Sequence, residues 1–172
     1  MRVQMRSMRR PPVRTIGLTG ALTCAIALAV AHGSETFGEL VPCALCLWER
    51  WPYRIAALCG VAAAFLPGPA ARAMAWAMIG VIAGGAGIAF VHVGVEFGWW
   101  PSPLPECAAP SMSMGSIADR LASMPARPSK PCDEPVFLVP FLPLSMAAIN
   151  LLFATTLAAL LAFAMAPRSF RR

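Results

Sequence analysis

Charged side chains are scarce in this sequence of 172 residues. They form 13% of it, whereas hydrophobic residues form 58% and the mean hydropathy is +0.66. Soluble domains contain about 25% charged residues, so this composition excludes an ordinary water-soluble globule. Much of the chain must therefore have lipid as its solvent.

Four long stretches contain few or no charged residues: about 15–32, 45–66, 73–97 and 140–166. A helix that crosses a membrane needs about 20 mostly apolar residues and satisfies its backbone polar groups internally. The sequence therefore predicts an all-α membrane protein, in which residues 1–172 form one domain built as a bundle of four transmembrane helices. The second stretch carries charges at its start. The first lacks a convincing small-residue cleavage site, so we interpret it as a retained helix rather than a signal peptide.

Lysine and arginine are missing from the first connection, residues 33–42, but arginine is abundant at both ends of the chain. Arg72 lies in the second connection. Because positive charges stay preferentially on the cytoplasmic side, we predict cytoplasmic termini and two outer connections, 33–42 and 98–139. The basic ends could instead bind nucleic acid. No aromatic interleaving or binding motif accompanies them, so we predict no nucleic-acid partner.

The long outer loop contains one helical pattern among many prolines. Ser116 and Asp119 have the spacing of a capping box, and Ile117, Leu121 and Met124 then recur at helical intervals. This pattern predicts a short amphipathic helix on the membrane surface. The prolines on both sides indicate that the rest of the loop is irregular and mobile.

The six cysteines divide according to the predicted topology. Cys24 and Cys59 fall inside spans, where cysteine usually acts as a small hydrophobic residue. The other four fall on the outer side: Cys43, Cys46, Cys107 and Cys132. An even set of cysteines in an oxidising compartment should be paired, so we expect two disulfide-forming pairs there.

The two outer pairs differ in the size of the loop that each would close. Cys43 and Cys46 form a CxxC where the first outer connection enters the second span, whereas Cys107 and Cys132 bracket the long outer loop. Both pairs could be purely structural. A bridge across two residues stabilises little, however, and CxxC at a helix N-terminus is a known means of making a thiol reactive. We therefore predict that the CxxC is catalytic.

Histidine is almost absent, which limits the metal sites that the chain can form. Leu47 follows Cys46, so covalent haem attachment through CxxCH is excluded. A zinc site would need ligands beyond the CxxC, and His32 and His92 lie near the outer ends of other spans. We predict no metal site, and we assign His92 to packing or a simple hydrogen bond in preference to proton handling.

Arg50 lies four residues after Cys46, so a helix places both side chains on one face. A guanidinium there would favour a thiolate, and it could donate hydrogen bonds to an oxygen-rich acceptor that gains negative charge on reduction. Ionisable residues in membrane segments are costly, which indicates a function for Arg50. The alternative is that Arg50 and Arg54 only extend to the outer surface. We expect Glu49 and Arg54 to pair with each other or with Arg50.

Aromatic and small residues have simpler interpretations. The aromatic residues at the outer ends of the second and third spans are Trp48, Trp51, Tyr53, Trp99 and Trp100. We interpret them as an interfacial belt rather than a ring-stacking site. The spacing of Gly80, Gly84 and Gly87 predicts close helix packing, and Asn150 can bond across helices without a chemical role.

These segments together resemble the disulfide bond formation protein B family, DsbB, over essentially the whole chain. The resemblance rests on CALCLWER within VPCALCLWERWPYR, on WWPSPLPEC, and on PCDEPVFLVPFLPLSMAAIN. It implies a bacterial inner-membrane oxidoreductase. Such a protein reoxidises a soluble periplasmic DsbA-type thioredoxin-fold oxidase and passes the electrons to ubiquinone or menaquinone.

The resemblance also implies roles by position. Cys43 and Cys46 correspond to the family's CxxC, with Cys46 engaging the quinone beside Arg50. Cys107 resembles the cysteine that the partner attacks, and Cys132 the one that completes the pair. The family's histidine near the quinone does not align with His92, because counting back from PSP leads to Gly94.

Two alternative functions compete with this one. A vitamin K epoxide reductase-like protein also couples a CxxC and loop cysteines to a quinone, but there the loop pair precedes the CxxC, whereas here the CxxC comes first. A non-enzymatic four-helix scaffold with structural disulfides would have an inert CxxC, and it would leave the proximity of Arg50 to Cys46 unexplained.

Overall fold

The described residues form an all-helical arrangement, as the sequence predicts. The structure is a computed structural model, and it describes residues 12–107, 116–118, 130–138 and 143–166. Within these ranges the longer helices are α1 (Val13–Thr36), α2 (Ala44–Phe65), α3 (Gly68–Glu96) and α4 (Met146–Met165). A short 3₁₀ turn, Pro105–Cys107, follows α3.

Three of these helices, α1, α3 and α4, are long and apolar enough to cross a membrane, by length and composition. Helix α2 is similar in length at 22 residues, but it carries Glu49, Arg50 and Arg54 in its first half. A membrane crossing by α2 therefore depends on how these charged side chains are accommodated.

Local signals explain where the helices begin. Pro67 precedes α3, and Pro69 lies in its first turn, where the fixed φ of proline suits the start of a helix. Helix α3 therefore begins at Gly68, earlier than predicted. Helix α4 begins after Ser145, whose Oγ accepts the backbone N–H of Ala148 and donates to the carboxylate of Glu96 at the end of α3. The predicted start at 140 falls on residues outside the described ranges.

The helices pack in chain order, α1 against α2, α2 against α3, and α3 against α4, whereas α1 and α4 make few contacts with each other. A close approach joins α1 to α2 at Gly17 and Gly60. A Cβ added to Gly17 would lie 2.5 Å from the carbonyl oxygen of Gly60. Small residues allow such close backbone contact between membrane helices. This packing order leaves a gap between α1 and α4.

The predicted packing role of Gly80, Gly84 and Gly87 is wrong. A Cβ added at any of these positions would meet nothing within 4 Å. The close contact on α3 is made by Gly85, where an added Cβ would lie 2.8 Å from Cβ of Pro52 in α2. The sequence spacing was correct for a helix, but it did not reveal which face of α3 turns towards α2.

The surface helix predicted from Ser116 onwards falls largely on residues outside the described ranges. Ile117 and Ala118 are helical and exposed, and the structure describes nothing from 119 to 129. The surface helix therefore stays a prediction.

Candidate active site

The long connection between α3 and α4, which the sequence predicts to be an outer loop, contains a disulfide between Cys107 and Cys132. Both cysteines are buried, and the backbone N–H of Cys132 donates to the carbonyl of Cys107. The disulfide packs in one apolar cluster with Cys43, Leu45 and Val95. The CxxC and the Cys107–Cys132 pair, which are far apart in sequence, are therefore neighbours in the fold.

The CxxC lies at the N-terminus of α2 with both cysteines as free thiols. Cys43 is the N-cap residue and its Sγ accepts the backbone N–H of Cys46, while the two sulfur atoms are 3.0 Å apart. The hydrogen bond from the Cys46 side chain lowers the pKa of Cys43, and the Cys46 backbone N–H acts in the same direction, although burial opposes both. The structure thus stabilises a thiolate at Cys43, whereas the sequence analysis placed the thiolate at Cys46.

Arg50 is buried and binds the end of α1. Its guanidinium forms an ion pair with Glu35, and its Nη1 lies 3.4 Å from Nδ1 of His32. Only 7% of Arg50 is exposed, so the alternative that it extends to the surface is wrong. Arg54 instead lies exposed over the ring of Trp51, at 5.0 Å from the ring centroid.

Glu49 does not pair with either arginine, contrary to the expectation from the sequence. Its Oε1 is 2.7 Å from Nδ1 of His92, and its Oε2 accepts a hydrogen bond of 2.7 Å from the Asn150 amide. Tyr53 donates its hydroxyl to the Asn150 carbonyl oxygen. Through Nε2, which lies 3.4 Å from Sγ of Cys43, His92 connects this network to the CxxC.

This network contains the residues that sequence reasoning underestimated. His92 was assigned to packing or a simple hydrogen bond, and Tyr53 to the interfacial belt, yet Tyr53 is buried. The hydrogen bond of Asn150 across helices is confirmed. The signal in the sequence was Glu49, a second charged residue next to Arg50 within an apolar helix. Its partners could not be predicted, because they lie on other helices, 43 and 101 positions away along the chain.

A cavity of about 260 Å³ lies in the gap between α1 and α4, with part of α2 as its wall. The polar part of the lining on α2 comes from Cys46, Glu49, Arg50 and Tyr53. The remainder is largely apolar, and examples are Ile26, Val30, Leu138, Ile149 and Phe153. An apolar chamber with a few convergent polar groups is the usual form of a small-molecule site. Cys46 therefore faces a cavity on one side and Cys43 on the other.

The family model for disulfide bond formation protein DsbB matches residues 13–164, which include both cysteine pairs. The chain belongs to the DsbB family. A similar protein is the disulfide bond formation protein B of Methylococcus capsulatus, which is 37% identical over 106 residues. The matched region covers 58% of this chain and 62% of that relative, which is less than two thirds of the relative's length. No solved structure gives a significant match.

The family assignment confirms the resemblance drawn from the sequence motifs. It also favours the DsbB resemblance over the vitamin K epoxide reductase-like alternative, because the DsbB model extends through the CxxC, the loop disulfide and nearly all of α4.

Proposed function

We propose that this DsbB-family protein is a quinone-dependent thiol–disulfide oxidoreductase that reoxidises a soluble periplasmic DsbA-type thioredoxin-fold oxidase. One observation carries the proposal. The loop disulfide packs against Cys43, Cys43 contacts Cys46, and Cys46 lines an apolar cavity together with Arg50. This sequence of contacts supports an electron path from the outer loop to a lipid-accessible acceptor site.

The first two steps are thiol–disulfide exchanges. A thiolate of the reduced partner attacks Cys107, a mixed disulfide forms, and Cys132 leaves as a thiolate. The partner's second thiol then releases the oxidised partner. Exchange between the reduced loop pair and the Cys43–Cys46 disulfide restores the loop disulfide and leaves two thiols in the CxxC. The contact between the two pairs supports this transfer.

The last step returns the CxxC to a disulfide. A membrane quinone, either ubiquinone or menaquinone, supplies an acceptor for the two electrons and two protons that the dithiol loses. The cavity fits such a group, because its wall is mainly apolar and its polar side contains a thiol and a guanidinium. Arg50 is held by Glu35 and can donate to an acceptor oxygen that becomes more negative.

We further propose that α2 crosses the membrane, which gives four transmembrane helices in the bacterial inner membrane. The support is that Glu49 and Arg50 are each 7% exposed and are partnered within the bundle, so these charges do not face lipid. The distribution of arginine in the sequence supports cytoplasmic termini, with connections 33–42 and 98–139 in the periplasm.

The test is a turnover assay on the full chain in detergent. Reduced DsbA-type protein is supplied with short-chain ubiquinone or menaquinone analogues, and quinone reduction is followed by absorbance. We expect turnover with the wild type, background rates with Cys46→Ala, and near-normal rates with the matched control Cys59→Ala. Turnover that survives Cys46→Ala, or no turnover with either quinone class, would overturn the proposal in favour of a scaffold with structural disulfides.

A further inference from the structure

Three soft ligand atoms meet at the N-terminus of α2. They are Sγ of Cys43, Sγ of Cys46 and Nε2 of His92, and all lie within 4.8 Å of one another. Cys43 and His92 are almost fully buried, and Cys46 is partly buried. The sequence predicts no metal site, because a zinc site needs ligands beyond the CxxC and the histidines lie on other spans. The fold brings His92 of α3 next to Cys43.

The distance between Cys43 and His92 matches that of a tetrahedral zinc site, whereas the two sulfurs lie closer together than in such a site. Zinc binds thiolate sulfur at about 2.3 Å and imidazole nitrogen at about 2.0–2.1 Å, which places sulfur and nitrogen ligands about 3.5 Å apart and two sulfurs about 3.8 Å apart. The distance from Cys43 Sγ to His92 Nε2 is 3.4 Å. The two sulfurs are 3.0 Å apart and would have to separate by about 0.8 Å, which rotation of the partly buried Cys46 side chain can provide.

His92 is also oriented as a metal ligand. Its Nδ1 lies 2.7 Å from the Glu49 carboxylate, which only accepts hydrogen bonds when ionised, so the ring proton resides on Nδ1. In the neutral ring Nε2 then carries the lone pair, and this atom lies 3.4 Å from Sγ of Cys43. A carboxylate that holds the far nitrogen of a histidine is the usual second partner in zinc sites, and the Asn150 amide fixes that carboxylate in turn.

We propose that Cys43, Cys46 and His92 form a site for a zinc ion in the dithiol state of the protein, with the fourth position open to water. Binding of Zn²⁺ displaces whatever protons the two thiols still hold and changes no oxidation state. Formation of the Cys43–Cys46 disulfide removes two of the three ligands, so the site exists only while the CxxC is reduced.

One consequence rests on the proposed function. A bound zinc ion occupies both sulfurs that must join when the CxxC is reoxidised, so zinc would trap the reduced enzyme and inhibit turnover. Because the ion binds the dithiol, inhibition should strengthen when the reduced partner is abundant and the acceptor is limiting.

Zinc binding is tested without partner or quinone. The full chain in detergent is reduced under anaerobic conditions and titrated with Zn²⁺ against a chromophoric chelator, and Co²⁺ is used as a spectroscopic probe for thiolate ligation. We expect one ion per chain in the reduced protein and none at this site after oxidation. The Cys107→Ser/Cys132→Ser double variant should keep the site, which excludes the loop thiols as its ligands.

Matched histidine variants identify the third ligand. His92→Ala should weaken zinc binding at least about 10-fold, as should Glu49→Gln through loss of its carboxylate, whereas His32→Ala should bind zinc as the wild type does. Equal affinities in His92→Ala and wild type, or binding that persists after the CxxC is oxidised, would overturn the proposal. Comparison of the oxidised and reduced wild type tests the site even where a variant folds poorly.

The inhibitory consequence has a separate readout. Zinc should inhibit quinone reduction in the wild type at concentrations that also saturate the binding site. If zinc binds the reduced chain but turnover is absent, the proposed function fails and the zinc site stands. If turnover occurs and the reduced chain binds no zinc, the zinc site fails and the function stands.

Discussion

At the residue scale, the two positions of the CxxC have different surroundings. Cys43 accepts the backbone N–H of Cys46 at the first turn of α2, is almost fully buried and contacts His92 and the loop disulfide. Cys46 is more exposed and lines the cavity. The pair therefore has one sulfur next to the loop disulfide and one that lines the cavity, as the proposed function requires.

The lowered pKa of Cys43 leads to a prediction about pH. A depressed pKa means that the thiolate persists at pH values where an ordinary thiol is protonated, and that reactivity falls as the pH drops through the lowered value. Cys46→Ala removes the largest cause, the side-chain hydrogen bond, so the pH midpoint for alkylation of Cys43 should rise. The midpoint is measured by mass spectrometry of the reduced protein after brief alkylation with a small reagent.

A conservative variant controls for packing changes in that experiment. Cys46→Ser keeps a side-chain donor, so its midpoint should lie below that of Cys46→Ala. An unchanged midpoint in Cys46→Ala would mean that the helix N-terminus alone sets the pKa of Cys43.

Arg50 leads to a second prediction at this scale. Arg50→Lys keeps the charge but loses the planar guanidinium, which pairs with Glu35 and lines the cavity. A hydrogen bond to a charged group is worth about 1.5–3 kcal/mol, so kcat/KM for quinone should fall about 10- to 100-fold when this bond is weakened. The rate of exchange with the thiol partner should stay unchanged. Arg54→Lys is the matched control, because Arg54 lies exposed on Trp51. Equal losses in both variants would show that the effect is not specific to the cavity.

The sequence predicts the cysteines and Arg50 as site residues but does not predict which residues surround them, for a physical reason. Spacing within one helix predicts which side chains share a face, and this put Cys46 beside Arg50; both do line the same cavity. The partners of Glu49 and Arg50 come from α1, α3 and α4, and no local pattern encodes a contact between helices. His92 could therefore be assigned only to packing or a simple hydrogen bond.

At the element scale, hydropathy predicted the helices because lipid imposes length and composition directly on each of them. The rotation of each helix about its axis is not imposed in this way, since apolar residues surround α3 along most of its length and its charged residues, Arg72 and Glu96, lie near its ends. The glycine pattern therefore identified a helix but selected the wrong contact face. The structure shows instead that α1 and α2 meet at Gly17 and Gly60.

The close approach of α1 and α2 can be tested by paired substitutions. Gly17→Ala places a Cβ against the Gly60 carbonyl and should destabilise the fold by about 1–3 kcal/mol, as overpacking does. Gly80→Ala adds the same methyl group into open space and should leave stability equal or slightly higher. Unfolding in mixed detergent, followed by circular dichroism, compares the two. A Gly17→Ala protein as stable as the Gly80→Ala protein would contradict the close contact of α1 with α2 at Gly17 and Gly60.

At the scale of the whole molecule, the fold brings together two cysteine pairs that chain order keeps more than 60 residues apart. Cys43 and Lys130 form an isolated parallel bridge, and the loop disulfide lies in the same cluster as the start of α2. The cavity lies on the other side of the CxxC, in the gap left between α1 and α4. In the part of the chain that the structure describes, the CxxC thus lies between the loop disulfide and the cavity, as the two half-reactions of the proposed function require.

This separation predicts that the two half-reactions can be uncoupled. The Cys107→Ser/Cys132→Ser double variant lacks the loop disulfide that the protein partner attacks, so partner-dependent quinone reduction should fall to background. A small dithiol such as dithiothreitol can reach the CxxC by diffusion, because Cys46 is partly exposed, and dithiothreitol-dependent quinone reduction should persist in the same variant. Both rates are measured by quinone absorbance, with Cys46→Ala as the variant that should lose both. Partner-dependent turnover that survives in the double variant would mean that the partner reacts directly with the CxxC. A loss of both rates would mean that the acceptor site itself does not form without the loop disulfide.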